Sequence, residues 1–200
     1  MISRIHIVGA GGIGSYLCKG LAEAIKQNQI RKSIVIHVYD PDEVEEKNIM
    51  YQDFEDIDIT DYKVNVMRDR YSFIGHNKRV GRELLKTLGK DDLIVCCVDN
   101  ATFRREMFEE LGDPDKAATF LDLRSEGRFI AWYTKSKKFT KDELLKTVGE
   151  NSEDSSCQLP YRFAEQIIDN GNKIIAEIGV QLVLNILRSE SFATHKTMMI

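Results

Sequence analysis

The sequence predicts an α/β fold, a Rossmann-like, mainly parallel sheet with helices on both faces, in a single domain over residues 1–200. Three observations predict it. The apolar strand Ile5–Val8 runs directly into Gly9-Ala10-Gly11-Gly12-Ile13-Gly14, and an amphipathic run, Ser15–Lys26, follows. A β-branched run, Ser33–Tyr39, then ends on the acidic Asp40. Beyond it, strand-like and helix-like stretches alternate, the pattern of a parallel sheet covered by its crossover helices.

Composition narrows the class. Hydrophobic residues make up 42% and charged residues 30% of 200, which suits a globular chain with a sizeable core. A net charge of −4 without a basic run gives no electrostatic case for nucleic acid. No apolar run approaches the roughly 20 residues that span a bilayer. The N-terminal stretch reads as a core strand, so no signal peptide is expected, and the cytoplasm is the expected location. The four cysteines form no CxxC pair, so the spacing of a structural zinc site is missing. Cys18, Cys96 and Cys97 lie in apolar surroundings and read as small core residues.

The elements follow in order. Tyr51–Asp61 is acidic and aperiodic, hence loop, and Tyr62–Ile74 has helical spacing. A third, short element is expected near Lys78–Val80. Glu83–Leu88 reads as a helix capped by Gly89. Leu93–Val98 is a continuous apolar strand of the buried parallel kind, followed by Asp99-Asn100. Ala101–Leu111 is a helix ended by Gly112-Asp113-Pro114; Thr119–Leu123 and Arg128–Thr134 are strands around Glu126-Gly127. Lys135–Asp154 reads as a charged surface segment, with Ser152–Ser156 its most linker-like part. Phe163–Leu187 is compatible with a long helix interrupted near Asn170-Gly171-Asn172. The broad apolar face of that helix covers the sheet or meets another subunit. His6 and His37 fall inside strands and read as satisfied structural residues.

The glycine turn carries the first chemistry. Glycine there allows a tight turn, close backbone approach to a phosphate and close helix–strand packing. The unpaired N–H groups of the following helix, together with its dipole, attract an anion, and a nucleotide phosphate is the expected guest. An acidic residue at the end of the second strand is where such folds grip ribose hydroxyls, since a carboxylate accepts two hydrogen bonds from a vicinal diol. Asp40 is the candidate.

The order of motifs resembles the ThiF–MoeB–HesA and ubiquitin-activating-enzyme family. Gly9, Gly11, Gly12, Ile13 and Gly14 match its GxGG(I/L/V)G turn. Asp40, Asp42, Val44 and Asn48 match its D-x-D-x-V-x-x-x-N strand end, after one extra residue, Glu43. Gln52 and Lys63 stand where the family has glutamine and, about a dozen residues on, lysine. Asp99, Asn100 and Arg104 match D-N-x-x-x-R after an apolar strand. The resemblance covers residues 4–134, leaving 135–200 as a crossover segment and C-terminal helix.

That resemblance implies ATP and magnesium as cofactors. It also implies transfer of AMP to the C-terminal carboxylate of a small ubiquitin-like or sulfur-carrier protein. Asn48 and Gln52 would hydrogen-bond around the nucleotide. Lys63 would offset charge at the attacked phosphorus, and Asp99 would hold magnesium. The family is commonly dimeric, so a homodimer is expected, through the apolar helix Ile174–Leu187.

Departures are equally specific. Tyr51 stands where the family has a phosphate-contacting arginine. The helical N-terminal extension, whose arginine reaches a partner subunit's ATP in the family, has no counterpart before the first strand. Cys157 lies in the segment that in relatives can carry a thioester- or persulfide-forming cysteine, so it is a candidate nucleophile. Two other readings accompany adenylation. One is a nucleotide-binding or dimerisation relative without turnover. The other is an NAD-dependent oxidoreductase, which leaves Lys63 and the Asp99–Arg104 motif unexplained.

Overall fold

The structure, a computed structural model, describes residues 1–137, 139–149 and 168–200. Cys157, Pro160, the serine-rich stretch 152–156 and the start of the run at Phe163 lie outside the described residues. Seven strands form one sheet: β1 (Arg4–Val8), β2 (Val35–Tyr39), β3 (Ile74–His76), β4 (Asp92–Cys96), β5 (Thr119–Glu126), β6 (Phe129–Tyr133) and β7 (His195–Met199). Their order is β3-β2-β1-β4-β5-β6-β7. The first five are mutually parallel, and the β5–β6 and β6–β7 pairings are antiparallel. β1 is central, with Ile5 in register with Ile36 on one side and Leu93 on the other.

Both faces are covered, which is why the central strands read as apolar runs without alternation. One core layer holds Ile5, Ile7 and Val38 under α1 (Gly12–Lys26), α2 (Lys63–Tyr71) and α6 (Gly171–Arg188). The opposite layer holds Val8, Ile94 and Phe120 under α3 (Arg82–Thr87), α4 (Ala101–Leu111) and α5 (Lys141–Lys146).

The breadth of apolar sequence in the last helix is used inside the chain. α6 lies parallel to α1: a side chain on Gly12 would run into Asn172, and one on Gly20 would meet Val180 at 2.5 Å. Ile175, Ala176, Leu182, Val183 and Leu184 are buried against α1 and the sheet. Fully burying a residue of leucine size contributes about 1.5–3 kcal/mol, so this contact fixes α6 on its own domain. Ile174 stays outward, 37% exposed.

Three local expectations are corrected. The second helix stops at Tyr71, because Ser72 takes a left-handed conformation at φ 60. The third strand is therefore Ile74–His76, and Lys78–Val80 is the loop after it. Gly89 does not cap a helix; its N–H donates to the Asp92 carboxylate at 2.8 Å. The helix expected over Phe163–Leu187 is described from Gly171 onward, with Asn170 as its N-cap. β7, polar and short, gave no strand signal and pairs on the sheet edge with β6.

His6 and His37 are structural residues, as expected. They pair in register on β1 and β2, and their rings stack at 5.1 Å. His37 stacks in turn on His76 and shares a 3.0 Å hydrogen bond with it. Asp92 anchors the far end, accepting from Arg4 at 2.6 and 2.9 Å and bonding the His6 ring at 2.9 Å. Burial, then the neighbouring His6, His76 and Arg4 charges, pushes His37 down to about 4, against a nearby Asp92 that pulls the other way. His76 is lowered too, by burial first, then by Lys78 and His6.

Between the ordinary histidine value near 6.5 and about 4, the unfolded chain binds a proton at position 37 that the folded chain does not. Stability should therefore fall as pH drops through that window. Denaturant titrations at pH 7.5 and 4.5 should give a smaller loss for His37→Gln than for wild type. Equal losses would show that the imidazole stack does not set acid stability.

Candidate functional site

A cleft of about 350 Å³ opens above the carboxyl ends of β1, β2 and β4, where ligands of open α/β sheets bind. Its floor is the glycine turn. Gly9 holds φ +93, a region closed to most side chains, and a Cβ on Gly14 would fall onto the Gly9 carbonyl oxygen. Gly14 and the buried Ile13 thus serve packing, whereas Gly9, Gly11 and Gly12 line the cleft. α1 starts at Gly12 with no side-chain cap, so its first N–H groups are open to an anion.

Asp40 ties this floor to the end of β2. One carboxylate oxygen accepts the Ala10 N–H at 2.7 Å, and the other accepts the Asp42 N–H at 2.9 Å. Burial raises its pKa, while the Lys63 charge and the two backbone N–H groups pull it back. Each oxygen keeps a second lone pair for a ligand.

Lys63, the first residue of α2, is 5% exposed and reaches Asp42 at 3.3 Å. A cation held in such low-dielectric surroundings acts more strongly than one in water. Asn48 caps a short 3-10 turn, its Oδ1 accepting the Glu45 N–H at 2.9 Å. Gln52 is buried at 7% exposure, and its Oε1 has no hydrogen-bond partner among the described residues. An orphaned buried acceptor beside the glycine turn calls for a donor from a ligand, such as a hydroxyl or amine of a nucleotide.

The D-N-x-x-x-R motif divides. Asp99 and Asn100 line the cleft, and Asn100 also caps α4 by accepting the Phe103 N–H at 2.9 Å. Arg104 is corrected: its guanidinium donates to buried Asp122 at 2.9 Å and to the Val98 carbonyl, and it does not line the cleft. Arg124 meets the second Asp122 oxygen at 2.7 Å, so Arg104 neutralises a core carboxylate. For a metal, Asp99 is the carboxylate that this motif brings to the cleft. No group of three or more metal-ligating side chains occurs among the described residues. That donor set fits magnesium, which takes one or two protein carboxylates plus phosphate and water oxygens.

Sequence reasoning missed part of the wall. Tyr39 lines the cleft beside Asp40, and the loop after β3 brings Lys78 and Arg79 to its rim. Neither cation makes a salt bridge among the described residues. The basic pair was visible in sequence, but a three-residue strand gave no frame to place it. Tyr51 lines the cleft as well. Cys18, Cys96 and Cys97 are buried thiols, and burial raises both Cys18 and Cys96, the latter to about 12, which disfavours a thiolate at those two positions. No described helix is long and apolar enough to cross a membrane.

The sequence profile of the ThiF family matches residues 2–199. No curated protein matches the sequence. Among solved structures, PaaA is similar with a TM-score of 0.68 at 17% identity, over 99% of this chain and 61% of PaaA. E. coli MccB with ATP is similar with a TM-score of 0.64 at 15% identity, over 99% of this chain and 61% of MccB. E. coli tRNA N6-threonylcarbamoyladenosine dehydratase, TcdA, in complex with AMP, gives 0.64 at 16% identity, over 94% of this chain and 86% of TcdA. The chain thus spans about 61% of the length of PaaA and MccB. At these identities the likeness is one of fold.

Asp40→Asn retains the shape but turns one acceptor into a donor facing a backbone N–H. Leaving that buried N–H unpaired costs about 1–3 kcal/mol, and the glycine turn should loosen with it. The melting temperature should fall, checked by calorimetry without ligand. An unchanged value would mean that the turn holds its shape without this carboxylate.

Proposed function

The chain belongs to the ThiF family, and on that premise we propose that its cleft binds ATP with magnesium and adenylates the C-terminal carboxylate of a small ubiquitin-like or sulfur-carrier protein. The observation that supports this most is convergence. Gly11, Asp40, Asn48, Gln52, Lys63 and Asp99, spread over some ninety residues of sequence, line one cleft. Its volume lies within the range of roughly 300–1,000 Å³ usual for small-molecule sites. MccB has been solved with ATP and with MccA, and TcdA with AMP.

In this reading the first N–H groups of α1 hold phosphates and Asp40 holds ribose hydroxyls. The carrier's carboxylate attacks the α-phosphorus and pyrophosphate leaves. Lys63, a buried point charge, offsets the negative charge that develops. Magnesium held by Asp99 would supply further neutralisation of the phosphates. Cys157 acts, if the chain uses it as its relatives can, only after this step. A homodimer belongs to the same proposal, through the C-terminal helix over Ile174–Leu187, where Ile174 stays exposed. A monomer mass by light scattering at micromolar concentration would remove it.

A second reading, nucleotide binding without turnover, is favoured by one residue. Tyr51 lines the cleft and carries no charge near neutral pH where the family has arginine.

Magnesium ATP should raise the melting temperature more than NAD does. Binding to the folded state adds about 2.7 kcal/mol at a hundredfold excess over Kd. Asp99→Ala should abolish pyrophosphate exchange with the cognate carrier protein, whereas Cys157→Ala should leave it intact. Tyr51→Arg should speed exchange about tenfold, a gain of about 1.4 kcal/mol. A larger shift with NAD would reverse the ligand assignment. No exchange in wild type or Tyr51→Arg, with the true partner present, would leave the binding module.

A further inference from the structure

Between β2 and α2 the chain makes two short 3-10 turns, Glu46–Asn48 and Asp56–Asp58, and brings Asn48, Tyr51 and Gln52 to the cleft. Ordering one backbone residue costs about 1–2 kcal/mol, so a ligand that had to order this loop would bind weakly. Asp53 orders it in advance. Its N–H donates to the buried Ser15 Oγ at 3.0 Å, and its carbonyl accepts from Arg70 at 3.1 Å. One carboxylate oxygen accepts from Lys19 at 2.9 Å, the other from the Tyr71 hydroxyl at 3.0 Å. Every polar group of the residue is thus held by a side chain, two from α1 and two from α2. Burial first, and then the Asp53 charge, raises the Tyr71 phenol, which stays a donor. Arg70 extends the hold to the second turn by meeting the Asp58 carboxylate.

The residues on either side show what this clamp fixes. Phe54 is buried in the core layer under α1 and α2. Gln52 lines the cleft instead, where a Cβ on Gly11 would lie 4.0 Å from its Nε2. Its Oε1, buried and unpartnered among the described residues, points to a donor on a ligand. With no protein donor to hold that oxygen, its place depends on the backbone beneath it. Asp53 is the next residue along, and it fixes that backbone without lining the cleft itself.

We propose that Asp53 is a positioning residue for the cleft: it clamps the loop to α1 and α2 so that Gln52 Oε1 is presented to the nucleotide. The proposal rests on the ATP reading above for the identity of that ligand. An acidic residue suits the task because its two oxygens accept from two helices at once. Geometry, and not charge, is what the role requires. The Tyr71 hydroxyl can turn to accept from an amide N–H, so asparagine keeps both tethers and alanine loses both.

The test is a double-mutant cycle on wild type, Gln52→Ala, Asp53→Ala and the pair, titrated with magnesium ATP by calorimetry, with Asp53→Asn alongside. Each single alanine should weaken binding about tenfold, the worth of one good hydrogen bond to a buried acceptor. The pair should bind about as Gln52→Ala alone does, because Asp53 acts through Gln52. Asp53→Asn should stay within about threefold of wild type. Unaltered affinity in either single alanine variant, or losses that multiply to about a hundredfold in the pair, would overturn the proposal. So would equal losses in Asp53→Asn and Asp53→Ala, which would make charge the cause. Backbone amide exchange is read on the same proteins without ligand. Gln52 and its loop neighbours should exchange about tenfold faster in Asp53→Ala, with β1 unchanged. Unchanged loop exchange, or equal acceleration in β1, would overturn the proposal as well. Should Asp53→Ala fail to fold, Tyr71→Phe takes its place in the cycle, removing one tether by a single oxygen with the same sign expected. A wild type that binds no magnesium ATP would sink the ATP reading, and the exchange comparison alone would then decide whether Asp53 holds Gln52.

Discussion

The contact on which the rest of the structure depends is between two glycines. α1 begins so close to the end of β1 that a Cβ on Gly14 would occupy the Gly9 carbonyl oxygen. The close approach brings the open N–H groups of α1 over the sheet edge and sets the distance at which Asp40 can reach the Ala10 N–H. The same helix offers Gly12 and Gly20 to α6, letting the two backbones approach and burying the apolar face of the last helix. A domain core and a ligand site thus rest on one requirement, the absence of side chains along one edge of α1.

Charge is handled consistently around that frame. Burying an unpaired carboxylate is costly, and Asp92 and Asp122 are each met by dedicated partners. Asp92 takes Arg4, His6 and the Gly89 N–H, and Arg4 beside it holds the carboxyl well below its usual range. Asp122 takes two arginines. Asp40 differs: its partners are backbone N–H groups and a more distant Lys63, and burial raises it. Asp40, at the cleft, thus keeps spare capacity for a ligand.

This difference explains what was legible in the sequence. The fold was, because glycine spacing, strand composition and alternation all follow from local rules, and α4 was read to the residue. The cleft residues of β1, β2 and α2 were, since their spacing belongs to a family pattern. Arg104 was misread because sequence fixes its position on α4 but not whether its guanidinium turns toward the cleft or toward Asp122, which lies on β5, eighteen positions on. β3 escaped because three residues carry little periodicity, and β7 because His195-Lys196-Thr197 give it no apolar alternation.

In the proposed chemistry, the replacement of a family arginine by Tyr51 redistributes the cations rather than removing them. Lys47 is tied to Glu45 at 2.8 Å on an exposed turn, so its reach into the cleft is weakened by both its partner and solvent. Lys78 and Arg79 stand at the rim, exposed, where screening leaves them able to attract a triphosphate but weak at one particular oxygen. Among the described cleft residues, Lys63 is both cationic and buried, and its bridge to half-exposed Asp42 is long enough, at 3.3 Å, to be exchanged for a phosphate. Binding would then draw on many groups, including the neutral N-terminus of α1, whereas acceleration would draw largely on one lysine. In that reading, such a site would hold a nucleotide more readily than it would turn it over.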